Sequence, residues 1–277
     1  MPIHSDWGDW LPRTIAEARP TGVAIWYLGC NGFVLKANDG TTIFIDPYLG
    51  TGDPPRTVRM VPVPFEPNDI RAADAILATH EHTDHVHASS QAPILANTGA
   101  TFYGPDASIT VTDRENWTGE WDVAAEQFAK IGEGESIELG SFSVAVEPAN
   151  DPDADHPVSY VLEHEAGTFY HGGDTKPGAV LDPIGDRYDI DLGVLALGSA
   201  GMIPDKETRE PTRTHWYADE NGVIEAARSL QLDRLLPSHW DMWKGLTADP
   251  TALFEHARSF EHPRTLEIVE IGDRVDL

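Results

Sequence analysis

Apolar and polar positions along the chain switch between two periods. Unbroken or alternating apolar runs bounded by Gly, Pro, Asn and Asp predict strands at Val23 to Leu28, Phe33 to Lys36 and Thr42 to Ile45. Asn31-Gly32 and Asp39-Gly40 supply the turn signals that make these three a meander. Further strands are expected at 75–78, 101–104, 141–147, 158–162, 168–170, 192–197, 234–237 and 266–271. Helical spacing links Trp7, Trp10, Leu11, Ile15 and Ala18 up to Pro20, and recurs over 89–96, 106–112, 222–230 and 250–260. The polar, acidic run from Glu120 to Ser136 is expected to cover an exposed edge. Residues 50 to 67 are dense in Gly and Pro and too long for a simple connection, so they are a candidate substrate lid. Strands and helices alternate in both halves with no low-complexity linker. The expectation is one α/β domain over 1–277, with 1–20 packed on it as an N-terminal extension.

Composition narrows the class. Hydrophobic residues make up 40% of 277, enough for a substantial core. No apolar run approaches the ~20 residues that span a bilayer. Met1 to Asp6 lacks a basic end followed by an apolar core, so a cytoplasmic protein is expected. A single cysteine, Cys30, excludes an internal disulfide framework and a Cys-rich zinc site, and reads as a small buried residue. There are 46 acidic against 19 basic residues, net −27, with only five lysines. Such a surface repels nucleic-acid phosphates and anionic membranes, which are bound through Lys and Arg. The expected partner is therefore a small molecule, neither nucleic acid nor membrane, with a homo-oligomer left open. Excess carboxylate with little lysine is also the composition expected of a protein working at very high salt, where screening relieves the repulsion.

The candidate chemistry is concentrated after the apolar run Ala75-Ile76-Leu77-Ala78. Thr79-His80-Glu81-His82-Thr83-Asp84-His85 places three imidazoles and a carboxylate within six residues of a strand end. Mixed N and O donors of this kind suit zinc, manganese or iron better than magnesium or calcium. Three more segments end an apolar run with a donor: Pro148 to His156, Gly172-Gly173-Asp174 and Ser238-His239. Repeated donors at strand ends on one rim are what a binuclear centre needs. Asp46, closing the third strand before Pro47, is either a turn-starting Asp or a carboxylate that orients a neighbouring ligand.

The spacing H-x-H-x-D-H after a strand resembles the signature of the metallo-β-lactamase-fold hydrolases. Trp7 to Leu11, Trp26 to Gly32, Leu77 to His80, Tyr170 to Asp174, Leu197 to Ser199 and Pro237 to Trp243 are similar, in order, to the L-ascorbate-6-phosphate lactonase branch. The resemblance implies a four-layer α/β/β/α sandwich with the metal site at the rim between two sheets. It implies two divalent ions, Mn²⁺ or Zn²⁺: one on His80, His82 and a donor from the second segment, the other on Asp84, His85 and His239, with Asp174 bridging. The commoner hydrolases place a Gly-His at the second segment, which this chain lacks. Asp151 is the favoured donor there and His156 the alternative. A carboxylate at that place hardens the site and tilts it toward Mn²⁺. His171 and Asp241 stand next to ligands and are expected to orient them, as is Asp46. Arg56 and Arg59 are the candidates for an anionic substrate group. The implied reaction is hydrolysis by metal-activated water, with Asp84, His239 and Asp174 in the catalytic machinery and Asp84 carrying a proton. The first expectation is a lactonase for a sugar, or sugar-phosphate, lactone. A phosphodiesterase for small nucleotides or cyclic phosphodiesters using the same site, and a non-catalytic metal-binding protein, stand behind it.

Overall fold

The computed structural model describes residues 3–277. The opening meander is β1 (Val23–Gly29), β2 (Gly32–Ala37) and β3 (Thr42–Ile45), all antiparallel neighbours. The sheet then continues in parallel through β4 (Ala75–Leu77), β5 (Thr101–Gly104) and β6 (Phe128–Lys130). A second sheet repeats this plan. β7 (Ser136–Leu139), β8 (Phe142–Pro148), β9 (Val158–His164) and β10 (Gly167–His171) run antiparallel. Parallel β11 (Leu192–Ala196) follows. A separate hairpin, β12 (Gly201–Pro204) and β13 (Pro211–Thr214), precedes β14 (Arg234–Ser238) and β15 (Thr265–Leu266), which rejoin the sheet in parallel. The last strand, β16 (Arg274–Asp276), crosses back to pair with β1.

Period-two alternation assigns the layers. Ile25, Tyr27, Phe33, Leu35, Ile43 and Leu77 face Phe142, Val144, Tyr160, Leu162, Phe169 and Val194 in a core between the sheets. The opposite face of the first sheet, including Trp26, Val34, Phe44, Ile76 and Phe102, packs under α1 (Trp10–Glu17), α2 (Ala88–Thr98), α3 (Asp106–Arg114) and α4 (Trp117–Glu120). The outer face of the second sheet, with Val161, Tyr170, Leu195 and Leu235, is covered by α5 (Asp182–Gly185), α6 (Glu220–Ser229) and α7 (Leu253–Ala257). Strands buried on both faces explain the unbroken apolar run 23–29. The result is the expected α/β/β/α sandwich.

α1 packs through Leu11 and Ile15, and the buried Lys36 ammonium donates to the Ile15 and Ala16 carbonyls at 2.8 and 2.9 Å near its C-terminus. Residues 1 and 2 of the expected extension lie outside the described residues. Among the described residues, no helix is long and apolar enough to cross a membrane.

Four local expectations change. The strand foreseen over 266–271 is strand only at its start; Val269 and Ile271 still face the inter-sheet core, but the chain turns at Gly272 to reach β1. Helix 250–260 shortens to a 3₁₀ turn at Pro250–Ala252 and α7, leaving Phe260 exposed under the Arg228 guanidinium. Within Glu120 to Ser136 the chain supplies an edge strand, β6, instead of a cover over one. The loop 50–67 is tied down: the Met60 amide donates to the Met242 carbonyl (2.8 Å) and the Lys244 amide to the Val58 carbonyl (3.0 Å).

Candidate metal centre

Five strands of the two sheets deliver their C-terminal ends to one rim. β3 leads to Asp46, β4 to His80, β8 to Asp151, β10 to Asp174 and β14 to His239. Ligand sites gather at such ends because the loops leaving parallel strands converge there. The turn joining β1 to β2, Cys30-Asn31, lies at the same rim.

The side chains meet in overlapping groups. His80, His82, Asp151 and Asp174 place their donor atoms within 4.8 Å of one another, as do His85, Asp174 and His239, and Cys30, Asp84 and His239. Asp151 Oδ2 lies 3.9 Å from both His80 Nε2 and His82 Nδ1, and Asp174 Oδ2 lies 3.9 Å from His80 Nε2. Asp174 Oδ2 is also 3.4 Å from His85 Nε2, and its Oδ1 is 3.5 Å from His239 Nε2. Asp84 Oδ2 approaches His239 Nε2 at 3.5 Å and His85 Nε2 at 4.0 Å. Asp174 is thus common to two groups. His156 is not: its side chain is 96% exposed beside Asp155, so geometry separates it from Asp151.

The donors fit divalent cations on the ring nitrogens' own partners. His80 Nδ1 donates to the Thr79 hydroxyl (3.0 Å) and His82 Nε2 to the Asp153 carbonyl (3.1 Å). Those bonds assign lone pairs to His80 Nε2 and His82 Nδ1, which face each other at 3.0 Å. Two lone pairs that close require a cation or proton between them. His85 Nε2 is fully buried and has no hydrogen-bond partner among the described residues, a position that a metal would satisfy.

A family model described as the beta-lactamase superfamily domain matches residues 41–240, a span from before Asp46 to just past His239. The chain belongs to the β-lactamase superfamily. A curated relative, the "Probable L-ascorbate-6-phosphate lactonase" of Escherichia coli (strain SMS-3-5 / SECEC), is 27% identical over 290 residues, covering 88% of this chain and 77% of the relative. Igni18, a metallo hydrolase from the hyperthermophilic archaeon Ignicoccus hospitalis KIN4/I, superposes with a TM-score of 0.66 at 21% identity, covering 91% of this chain and 97% of that one. An isothiocyanate hydrolase from Delia radicum gut bacteria gives 0.68 at 17% identity, covering 91% and 98%. At those identities the two structures bear on the fold alone. The superfamily and the donor set together make this a metal-dependent hydrolase.

In this β-lactamase superfamily chain the supporting contacts sort the remaining expectations. Asp46 is fully buried and accepts from His85 Nδ1 (2.8 Å), the Thr79 hydroxyl (2.7 Å) and the Thr79 amide (2.9 Å), so it orients two imidazoles, one of them through Thr79. His171 makes no hydrogen bond to a donor of the cluster. Its Nε2 donates to the Asn31 carbonyl (2.9 Å) and its Nδ1 accepts from the Gly173 amide (3.3 Å), which steadies the two loops carrying Asn31 and Asp174. Asp241 is a step further away. It accepts from the Tyr27 hydroxyl (3.3 Å), which also donates to the Cys30 carbonyl (3.1 Å), because the chain turns after His239 and points Asp241 at β1. Arg59, expected to meet an anionic substrate group, instead donates to the carbonyls of Val61, Tyr48, Gly50 and Pro62 at 2.8 to 3.3 Å and so fastens its own loop. Arg56 lies 5.0 Å over the Trp216 ring, next to Tyr217, which stacks on His239 at 4.1 Å.

Sequence reasoning missed four contributors. Asn31 donates to Asp174 Oδ1 (3.2 Å) and accepts from the Ser238 hydroxyl (2.7 Å); its Asn-Gly context read only as a turn. Lys176 donates to Asp151 Oδ1 (3.1 Å) and Asp153 Oδ2 (3.4 Å), two residues after Asp174. Tyr217 carried no local signal. Cys30, read as a small buried residue, is buried but stands 3.3 Å from His239 Nε2.

Burial holds His80 and His239 below the ordinary imidazole range, so both are neutral donors. His85 goes the other way: burial opposes its charge, but Asp174 and Asp46 push its pKa well up. Asp174 is likewise penalised by burial, yet His85 and His239 hold its carboxyl well below the usual range. Burial, then Asp174, push Asp151 up, while Lys176 pulls it down. Burial, Asp84 and Asp174 push the Cys30 thiol well up.

Proposed function

We propose that this chain is a lactonase that opens a sugar lactone. One divalent cation would be held by His80, His82 and Asp151, a second by Asp84, His85 and His239, with Asp174 between them. The observation that carries the reading is the convergence of all seven donors on one rim. Similarity over 88% of the chain to a curated relative named for lactone hydrolysis supports the substrate class. Mn²⁺ and Zn²⁺ are the proposed ions. Bound there, they would supply a Lewis acid for the lactone carbonyl and bring a water's pKa from 15.7 toward ~7.

The protein's own groups do the rest. Asp84 is the acidic donor most open to substrate, its side chain 17% exposed against 4% for Asp151 and 7% for Asp174. It takes the proton of the attacking water and returns it to the departing ring oxygen, which leaves as an alcohol. Asp174, tied to Asn31, stays ionised between the imidazoles. Tyr217 covers one face of His239 and, with Tyr48, Trp243 and Met242, forms an apolar wall that excludes bulk water. No Ser, Cys or Lys nucleophile is required.

Substrate charge turns on Arg56. Lys176 and Arg59 are already engaged with the chain's own acceptors, whereas Arg56 has no side-chain hydrogen bond or ion pair among the described residues. A phosphorylated lactone would therefore depend on Arg56, and a plain one would not.

The test is a panel of sugar lactones, their phosphates and bis-p-nitrophenyl phosphate, with Mn²⁺ and with Zn²⁺. Lactone opening that needs added metal is the expected result, and Arg56→Ala should raise KM for a phosphorylated lactone alone. Turnover of the phosphodiester without any lactone would replace the proposal with the phosphodiesterase. Full lactone turnover by chelated enzyme would end it.

A further inference from the structure

We propose that Cys30 is a cation ligand, and that its sulfur makes the subsite of Asp84 and His239 softer than the one built by His80, His82 and Asp151. The inference rests on the two-cation reading and adds a donor to it. Cys30 lies outside the 41–240 span that carries the superfamily match.

Three distances carry the argument. Cys30 Sγ is 3.3 Å from His239 Nε2 and 3.7 Å from Asp84 Oδ2, while those two atoms are 3.5 Å apart. Bonds of ~2.3 Å to sulfur and ~2.0–2.2 Å to nitrogen and oxygen, at angles near 109° between neighbouring ligands, separate the ligand atoms by about 3.3–3.7 Å. The observed triangle has nearly those edges. An independent sign that a cation belongs here comes from His85 Nε2, buried, without a hydrogen-bond partner among the described residues and directed at the carboxylates of Asp84 and Asp174 at 4.0 and 3.4 Å.

The thiol is also held in place. The Cys30 carbonyl accepts from the His239 amide (2.9 Å) and the Tyr27 hydroxyl (3.1 Å), so the turn bearing the sulfur is fastened to the residue whose ring it faces. On binding, the S–H bond breaks, its proton goes to solvent, and the sulfur lone pair forms the bond to the ion. Thiolate favours borderline and soft ions, so Zn²⁺, Co²⁺ and Cd²⁺ should be preferred at this subsite, while the sulfur-free subsite retains Mn²⁺. The competing arrangement is a permanent hydrogen bond from the thiol to His239 Nε2.

The chain's single cysteine makes the experiment direct, because a thiolate-to-metal band can come from no other residue. Metal-free full-length protein is titrated with Co²⁺ and its near-ultraviolet spectrum recorded beside the bound-metal count. A sulfur-to-cobalt charge-transfer band that saturates with one of two bound equivalents is expected. Cys30→Ser, checked for folding by circular dichroism, should bind Co²⁺ without the band. Its Cd²⁺ affinity should fall roughly 10–100-fold while Mn²⁺ affinity changes less than about threefold. Two bound equivalents with no band in the parent protein would overturn the thiolate ligand and leave the two-cation reading standing. No bound Co²⁺ at all would overturn both. The parent spectrum decides the matter even where the variant fails to fold.

Discussion

Asp46→Asn isolates the orientation of one imidazole from the presence of the donors. Asp46 has φ +45°, a left-handed conformation that Asn tolerates as well as Asp does, so the backbone should survive the change. The side chain keeps its shape and its acceptor toward the Thr79 amide. What changes is the atom facing the Thr79 hydroxyl and His85 Nδ1, where an amide NH₂ replaces a carboxylate oxygen now 2.7 and 2.8 Å away. With a donor opposite it, His85 Nδ1 must become an acceptor, and the proton moves to Nε2, the atom that faces Asp174 and Asp84. One donor of that subsite is then lost without removal of any ligand residue. Changes in the partners of metal-bound histidines typically cost 10–100-fold in affinity, or about 1.4–2.8 kcal/mol. Calorimetric titration of metal-free protein with Zn²⁺ should show one of two binding steps weakened by that factor, with the other within a few-fold. Asp46→Asn binding both equivalents as tightly as the parent would refute the reasoning. Asp46→Ala serves as contrast: it leaves the Thr79 amide and hydroxyl without their acceptor and His85 Nδ1 with only the Thr79 hydroxyl at 3.3 Å in a buried site, and should also cost fold stability.

Further outcomes can be checked separately. Asp151→Ala should lose a bound cation and nearly all activity, and Asp174→Ala both cations, whereas His156→Ala should change metal content and turnover by less than about twofold, as expected of an exposed side chain away from the cluster. Arg59→Ala, which leaves four carbonyls without their donor, should lower unfolding stability by about 2–4 kcal/mol in urea titration. Burial lowers His87 to a pKa of about 4 despite the nearby Asp84. The unfolded chain therefore binds a proton near pH 6.5 that the folded chain refuses, and stability should fall as pH drops from 6.5 toward 4; His87→Gln should flatten that limb relative to the parent. The net charge of −27 predicts greater stability in molar KCl than in dilute buffer, and equal melting temperatures in both would remove the high-salt reading.

Much of the architecture was readable from residue order because its causes are local. β3 and β5 end where their apolar runs end, and the alternation within β8 follows its inter-sheet face, whereas the unbroken apolar runs of β1 and β2 mark strands buried on both faces without saying which residue faces which layer. The weaker readings fell where tertiary pairing decides. Arg274–Asp276 is a strand only because β1 offers it an edge, and 266–271 loses most of its strand because the chain must leave one sheet for the other.

The candidate centre divides in the same way. Donor identity is local: imidazoles and carboxylates placed just past strand ends announce themselves by spacing, as at His80, His82, Asp84 and His85. Orientation is not local, because a ring's tautomer depends on an atom supplied from elsewhere in the chain. Asp46 stands 39 residues from His85, Asn31 stands 143 from Asp174, and Cys30 stands 209 from His239. Residue order alone pointed to the imidazoles and carboxylates of this rim, but not to Asn31, Lys176, Tyr217 or Cys30 beside them. Only folding decided that Asp151 faces the cluster while His156 faces water, that Arg59 secures a loop, and that the chain's one thiol, on Cys30, stands beside His239. Those outcomes depend on which distant surfaces are pressed together, and no spacing along the chain encodes them.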